Sequence, residues 1–461
     1  MNQNRGQWGS RLGFVLAAAG SAVGLGNLWK FPFITFDNDG GAFVLVYLVC
    51  IAVVGLPIMV TEILVGRKTQ LNAVGAMEQA VGKPWGYVGR LGVLTGFVIL
   101  GYYTVIAGWS LRYFVQCVRW SSSVYVSGDS SPEAFGAFVT NGPVQVLLAA
   151  LFMIGTAFVV FKGIGQGIER VARLLLPILF LILLIVLVTA LTMEGAGEAL
   201  SFIFAPRFGA LTEDSVLEAL GHAFFTLSLG MGAMITYGSY MRRSDSVVSS
   251  ALMVVVLDTF IALMATVAMF SVIFSVPGLR ESISRSAVGM LFITLPEQFY
   301  TVVPAGKLLA PLFYVLVAFA ALTSTISLLE VIVAYFIDQR GMSRGSATLS
   351  VAGATLVLSI LCALSLGAND TLSNFSWIAG KQGVLSQLDH LASNWFLPVG
   401  GFFITLAAGW FMTRSELHAE VIDDMTPAWF KFEVWRSFVR YVSPLAVGTI
   451  IAFVISGRDF S

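Results

Sequence analysis

The chain has 461 residues, 57% of them apolar and only 11% charged, and its mean hydropathy is +0.86. Soluble domains carry about 25% charged residues, so a soluble globular enzyme is excluded, as is a disordered chain. The 26 basic side chains balance the 26 acidic ones, which leaves no electrostatic footprint for nucleic acid.

A helix crosses a bilayer with about 20 mostly apolar residues. Eleven segments meet that requirement, at 12–36, 42–66, 88–118, 143–161, 168–192, 214–240, 247–276, 308–337, 346–367, 384–412 and 438–456. The expected fold class is an all-α polytopic membrane protein. Placing the N-terminus inside collects 17 of the 26 Lys and Arg in the inner loops, so the N-terminus is expected in the cytoplasm and, after eleven spans, the C-terminus outside. The loops are short; the longest outer ones, 119–142 and 277–307, have room for small helices. Cys50, Cys117 and Cys362 lie far apart beside apolar runs and suggest neither disulfides nor a zinc site.

Spans 1 and 6 are poorly built as continuous helices. The first carries Gly20-Ser21-Ala22-Val23-Gly24-Leu25-Gly26-Asn27 at mid-depth, and the sixth carries Phe225-Thr226-Leu227-Ser228-Leu229-Gly230-Met231-Gly232. Glycine costs about 1 kcal/mol in a helix interior relative to alanine. Close packing through small residues accounts for one such segment; two at matching places in successive five-span halves point to a binding site made of unwound backbone. Lys30, Glu62, His222, Asp258 and Glu330 also fall within spans, where ionisable groups are expensive. Lys30 and Glu330 lie nearer the span ends, where snorkelling competes with a functional role. Thr323-Ser324-Thr325 adds hydroxyls suited to a hard cation, although such hydroxyls also bond back to their own helix.

These residues carry a resemblance. RLGFVLAAAGSAVGLGNLWKFP, Gly40-Gly41-Ala42-Phe43, the GLP at 55–57, FFTLSLGMGAMITYGSY at 224–240 and AALTSTIS at 320–327 resemble the neurotransmitter:sodium symporter family. The resemblance covers nearly the whole chain. It implies a LeuT-like 5+5 inverted repeat with broken spans 1 and 6 plus an eleventh span, a general architecture long associated with broken-helix transporters. The repeats would occupy 1–192 and 193–412, with 413–461 holding an inner loop and span 11.

Site residues follow from the resemblance. One sodium ion would meet the Ala22 carbonyl, Asn27, Thr226, Asp258 and the substrate carboxylate. A second would meet the carbonyls of Gly20, Val23 and Ala320 and the hydroxyls of Thr323 and Ser324. The amino-acid carboxylate would rest on Leu25, Gly26 and Tyr103, and its amino group on carbonyls of Ala22, Phe225 and Thr226. The side chain would contact Ile99, Tyr103, Phe225, Ser228, Met231, Ser324 and Leu328, a lining without fixed charge that resembles a site for hydrophobic or aromatic amino acids. Glu62 would hold unwound backbone near Gly230. Arg5 and Asp338 would form the inner gate, with Trp8, Ser239 and Tyr240 around them.

The chain also departs from the family pattern. Lys30 replaces the usual outer-gate Arg, and its acidic partner in span 10 has no clear match beyond Asn394 or Asp389. His222 stands where relatives carry Gln, Asp258 where they carry Asn, and Ala262 where some carry a chloride-replacing Glu. Chloride is therefore not expected as a partner. Eleven spans remove the basis for oligomer contacts through a twelfth, which is compatible with a monomer. Gly167 and Pro177 bracket nine residues of span 5 and resemble a helix-breaking hinge; an ordinary loop glycine and a tolerated membrane proline are the alternative.

The resulting expectation is a sodium-coupled amino-acid symporter of the cell membrane, not an enzyme, since no Ser/His, paired-Asp or HExxH constellation is present. A related transporter of an amine, betaine or taurine is one alternative. A non-transporting amino-acid sensor or a sodium-leak channel is another.

Overall fold

The computed structural model describes residues 6–126, 128–282, 286–423 and 425–459. Nine of its helices are long and apolar enough to span a bilayer: Gly41–Thr69, Lys83–Ser122, Gly142–Phe161, Ile164–Leu191, Val247–Phe274, Gly306–Arg340, Arg344–Leu364, Val384–Phe411 and Phe432–Ile455. They are spans 2–5 and 7–11. Span 1 is a bent pair, Arg11–Ala22 and Gly26–Asp37, with 51° between its halves. Span 6 is two shorter helices, Glu213–Thr226 and Ala233–Gly238. Both interruptions fall where the glycine-rich runs placed them.

Local chemistry starts these helices. Ser10 caps span 1 by accepting the Gly13 N–H at 3.0 Å, Asn141 caps span 4, Ser343 caps span 9, and Thr212 with Ser215 forms a capping box for span 6. Local chemistry also breaks them. In span 6, Ser228, Gly230 and Gly232 have φ of +53°, +79° and +75°, a left-handed geometry that stops an α-helix. A Cβ on Gly230 would lie 2.3 Å from the Leu397 carbonyl, so span 10 packs directly on the broken segment. In span 1, the Asn27 side chain accepts the freed Gly24 N–H at 2.9 Å. Unwound backbone survives here because it is buried within protein and its polar groups find partners.

The two loops expected to have room for small helices do hold some, among them Pro132–Val139 and Leu295–Thr301. Beyond span 11, Arg458 pairs with Glu213 at 3.5 Å and with Asp214, at the start of span 6. Asp459 pairs with Lys381 at 2.5 Å and accepts the Asn394 amide at 2.8 Å. The three cysteines are buried and free.

The side of the bundle nearest the chain start is closed. Trp8 is 1% exposed; its backbone N–H donates to the Tyr240 carbonyl at 3.0 Å and its indole N–H to the Tyr237 carbonyl at 2.9 Å. Glu169 of span 5 accepts the Gly9 N–H at 2.6 Å and pairs with Arg173. Glu330 differs from the snorkelling alternative: it is 0% exposed, receives Tyr240 Oη at 2.6 Å, and takes both arms of the Arg344 fork at 2.8 and 2.9 Å. The reason is tertiary, because Arg344 comes from the start of span 9 and meets a carboxylate that cannot reach water.

Candidate functional site

The two interruptions face each other across a narrow cavity, with about 30 Å³ of free space, that spans 3 and 8 complete. Ala22, Gly26, Ile99, Tyr103, Phe225, Thr226, Ser228, Met231, Ser324 and Leu328 all line it. Leu25 is fully buried beside it and donates its N–H to Tyr103 Oη at 3.0 Å. One wall is therefore peptide N–H and phenol, suited to a carboxylate. The other walls are aliphatic, aromatic and hydroxylic, with no charged side chain among them. Phe225 packs against Gly26, and Lys30 Nζ stands 5.6 Å from the Phe225 ring centroid.

Beside the cavity lies a set of hard oxygens. Asn27 donates to Asp258 Oδ1 at 2.8 Å, and Thr226 Oγ1 lies 3.1 and 3.2 Å from the two Asp258 carboxylate oxygens. Asp258 is 0% exposed. Asn27 meets this cluster through its amide N–H2 while its Oδ1 accepts the Gly24 N–H, so the oxygens drawn together are those of a carboxylate and a hydroxyl, of the kind a hard cation takes. On the other side of the broken first span, Thr323 meets Gly20, where a Cβ would lie 3.1 Å from the threonine Cβ. The Ala320 carbonyl receives the Thr323 and Ser324 hydroxyls at 3.0 and 3.2 Å, and Val23 is buried nearby in sequence, its N–H on the Ala19 carbonyl.

Supporting groups are placed unevenly. Glu62 Oε1 accepts the Gly230 N–H at 2.7 Å, which ties span 2 to the break in span 6. His222 is 3% exposed and stacks on Phe31 with ring centroids 5.5 Å apart. Ser239 turns its hydroxyl to the Thr236 carbonyl. Asp338 accepts the backbone and side-chain N–H of Asn72 at 2.9 and 3.1 Å; its expected partner Arg5 lies outside the described residues. Of the span 10 candidates, Asn394 meets Asp459 and His390, and Asp389 accepts the Ser393 hydroxyl. Gly167 sits in a wide turn, Ile164–Glu169, and Pro177 lies inside the wound helix Arg170–Leu191.

Three cavity residues escaped the sequence reading: Ser21, Gly24 and Ser327. Gly24 is fixed by close approach, since a Cβ there would lie 2.6 Å from Ser324 Oγ and 3.0 Å from Tyr103 Oη. Ser327 carried a usable signal. It follows Ser324 by three residues, and i and i+3 share a helix face.

A cavity between two interrupted helices, with carboxylate and hydroxyl oxygens suited to a cation at its side, is the arrangement of a secondary transporter. The chain belongs to the sodium:neurotransmitter symporter family, whose model matches residues 5–125 and 134–459. It is 37% identical over 454 residues to the Bacillus subtilis sodium-dependent transporter YhdH, with 97% of each chain covered. It is 29% identical over 300 residues to the bovine sodium-dependent neutral amino acid transporter B(0)AT2, covering 58% of this chain and 41% of that protein. The crystal structure of MhsT in complex with L-phenylalanine superposes with a TM-score of 0.87 at 39% identity, covering 97% of this chain and 99% of that one. These relatives are transporters rather than enzymes, and the chain is a multi-pass membrane protein of the LeuT fold.

Proposed function

We propose that this protein is a symporter that couples two inward-moving sodium ions to uptake of a neutral, hydrophobic or aromatic L-amino acid, without chloride. The single observation that carries the substrate class is the cavity, which offers Leu25 N–H and Tyr103 to a carboxylate and an uncharged wall of Ile99, Met231 and Leu328 to a side chain. The likeness to a phenylalanine-bound structure supports the same class. The protein would lie in the cell membrane with its N-terminus in the cytoplasm. Asn27, Thr226 and Asp258 would hold one sodium, and Gly20, Val23, Ala320, Thr323 and Ser324 the other. Purified protein is expected to bind a subset of the twenty amino acids only when sodium is present. Stabilisation by none of them sinks the assignment.

Chloride independence rests on Asp258. When ionised, its carboxylate places a negative charge beside the cavity, and an anion 4 Å away would be repelled by roughly 4 kcal/mol at an effective dielectric of 20. Uptake in sodium gluconate is expected to match uptake in sodium chloride. A large loss would show that the carboxylate does not stand in for the anion.

Release to the cytoplasm would use span 5 as a hinge. Pro177 interrupts the hydrogen-bond ladder and Gly167 lowers the cost of unwinding, so the stretch between them is the place where the wound helix opens. Pro177→Ala is expected to slow turnover several-fold while equilibrium substrate binding stays within about twofold. Unchanged turnover in proteoliposomes favours an ordinary membrane proline.

A further inference from the structure

Three serines from three different elements meet at one side of the cavity: Ser21 at the end of Arg11–Ala22, Ser228 in the interruption of span 6, and Ser327 in span 8. Ser21 Oγ lies 2.6 Å from Ser327 Oγ and 3.3 Å from Ser228 Oγ. Ser228 Oγ donates to the Ser21 carbonyl at 3.0 Å, and Ser327 Oγ donates to the Ser324 carbonyl at 2.8 Å. All three are at least nine-tenths buried, at 3%, 5% and 1% exposure.

A serine hydroxyl has one proton and two lone pairs. Here the Ser228 and Ser327 protons are committed to backbone carbonyls, and the single Ser21 proton goes to a neighbouring hydroxyl. What remains available to a ligand is acceptor capacity. Ile99, Met231 and Leu328 line the same cavity and demand an apolar body. A bound side chain with a purely hydrocarbon end would bury those lone pairs without replacing the water it displaces, which is the costly case for a polar group. A short polar side chain would leave the apolar walls unfilled.

We propose that this hydroxyl cluster, centred on Ser327, selects aromatic amino acids whose ring ends in a hydrogen-bond donor, a phenol or an indole N–H, over phenylalanine and aliphatic side chains. The inference rests on the reading of the cavity as a sodium-dependent amino-acid site. It makes Ser327 a specificity-determining residue, with Ser21 and Ser228 holding its hydroxyl in place.

The test is sodium-dependent binding to purified full-length protein of two matched pairs. Tyrosine is compared with phenylalanine, and tryptophan with 3-benzothienylalanine, in which sulfur replaces the indole N–H. The donor-bearing member of each pair is expected to bind about tenfold more tightly, the worth of one net hydrogen bond. In Ser327→Ala the ratios should fall to within about twofold; Ser21→Ala should reduce them in the same direction. Equal affinities within both pairs for the wild-type protein would overturn the proposal without any variant. So would a Ser327→Ala protein that weakens all four ligands alike, because the cluster would then serve only to join helices. Binding of none of the four in sodium would instead defeat the broader reading of the cavity, and this proposal with it.

Discussion

Replacing Arg344 by alanine is expected to destabilise the protein by about 3 kcal/mol, the low end of what breaking a buried ion pair costs. The low end applies because the Arg344 side chain keeps 26% exposure, whereas Glu330 has none. The variant leaves that carboxylate with the Tyr240 hydroxyl as its remaining resolved donor, in a place water does not reach. Arg344→Lys should recover only part of the loss, since an ammonium cannot present two parallel donors. Glu330→Gln combined with Arg344→Ala should recover more, because the charge needing compensation is gone. Tyr240 shares its residue with the backbone carbonyl that holds Trp8, so the same variant should loosen the closed face. Thermal unfolding of the purified protein gives the ordering, and protease access to the N-terminal segment gives the loosening. An Arg344→Ala protein as stable as wild type would remove the pair from any account of how that face stays shut.

Thr323→Ala/Ser324→Ala is expected to reduce sodium-driven uptake to background. Within the set proposed for the second ion, these two hydroxyls are the only side-chain oxygens, and both residues are buried at 5% and 7% exposure. Their loss leaves three carbonyls, too few oxygens for a well-filled shell around a hard cation. Their bonds to the Ala320 and Phe319 carbonyls are extra bonds within their own helix, and Ser324 adds one at 3.3 Å to the Ser21 carbonyl of span 1, so span 8 itself should stay helical. Uptake into proteoliposomes at rising external sodium provides the measurement, with the single variant Thr323→Ser as the control that keeps a hydroxyl. Normal sodium dependence in the double variant would rule out the site.

The residues that make this a membrane protein act locally, and so did their signals. Apolar runs of bilayer length, Lys and Arg in the loops, cap residues such as Ser10 and Thr212, and glycines where φ must be positive all speak within a few positions of their own place in the chain. The interruption of span 6 was legible for that reason: Gly230 and Gly232 adopt a geometry that other residues strain to reach. The resemblance of the glycine-rich runs then placed Asp258, Thr226 and Asn27 in one ion site, and the structure draws those three side chains together.

What was not legible is pairing across distance. Glu330 alone in an apolar run gives no hint that Arg344 will turn back to it, because the two are joined only when span 9 folds against span 8. Asn394, one of the span 10 positions considered beside Lys30, donates to Asp459, from a segment 65 residues further along the chain. Ser21, Ser228 and Ser327 are unremarkable one at a time, and only the crossing of three helices gives them a common place. Sequence by itself determined the spans, the breaks and the kinds of atoms that surround the cavity. The tertiary structure decided which buried polar groups satisfy one another, because burial makes every unpaired donor, acceptor and charge costly while chain distance does not restrict which partners close packing brings together.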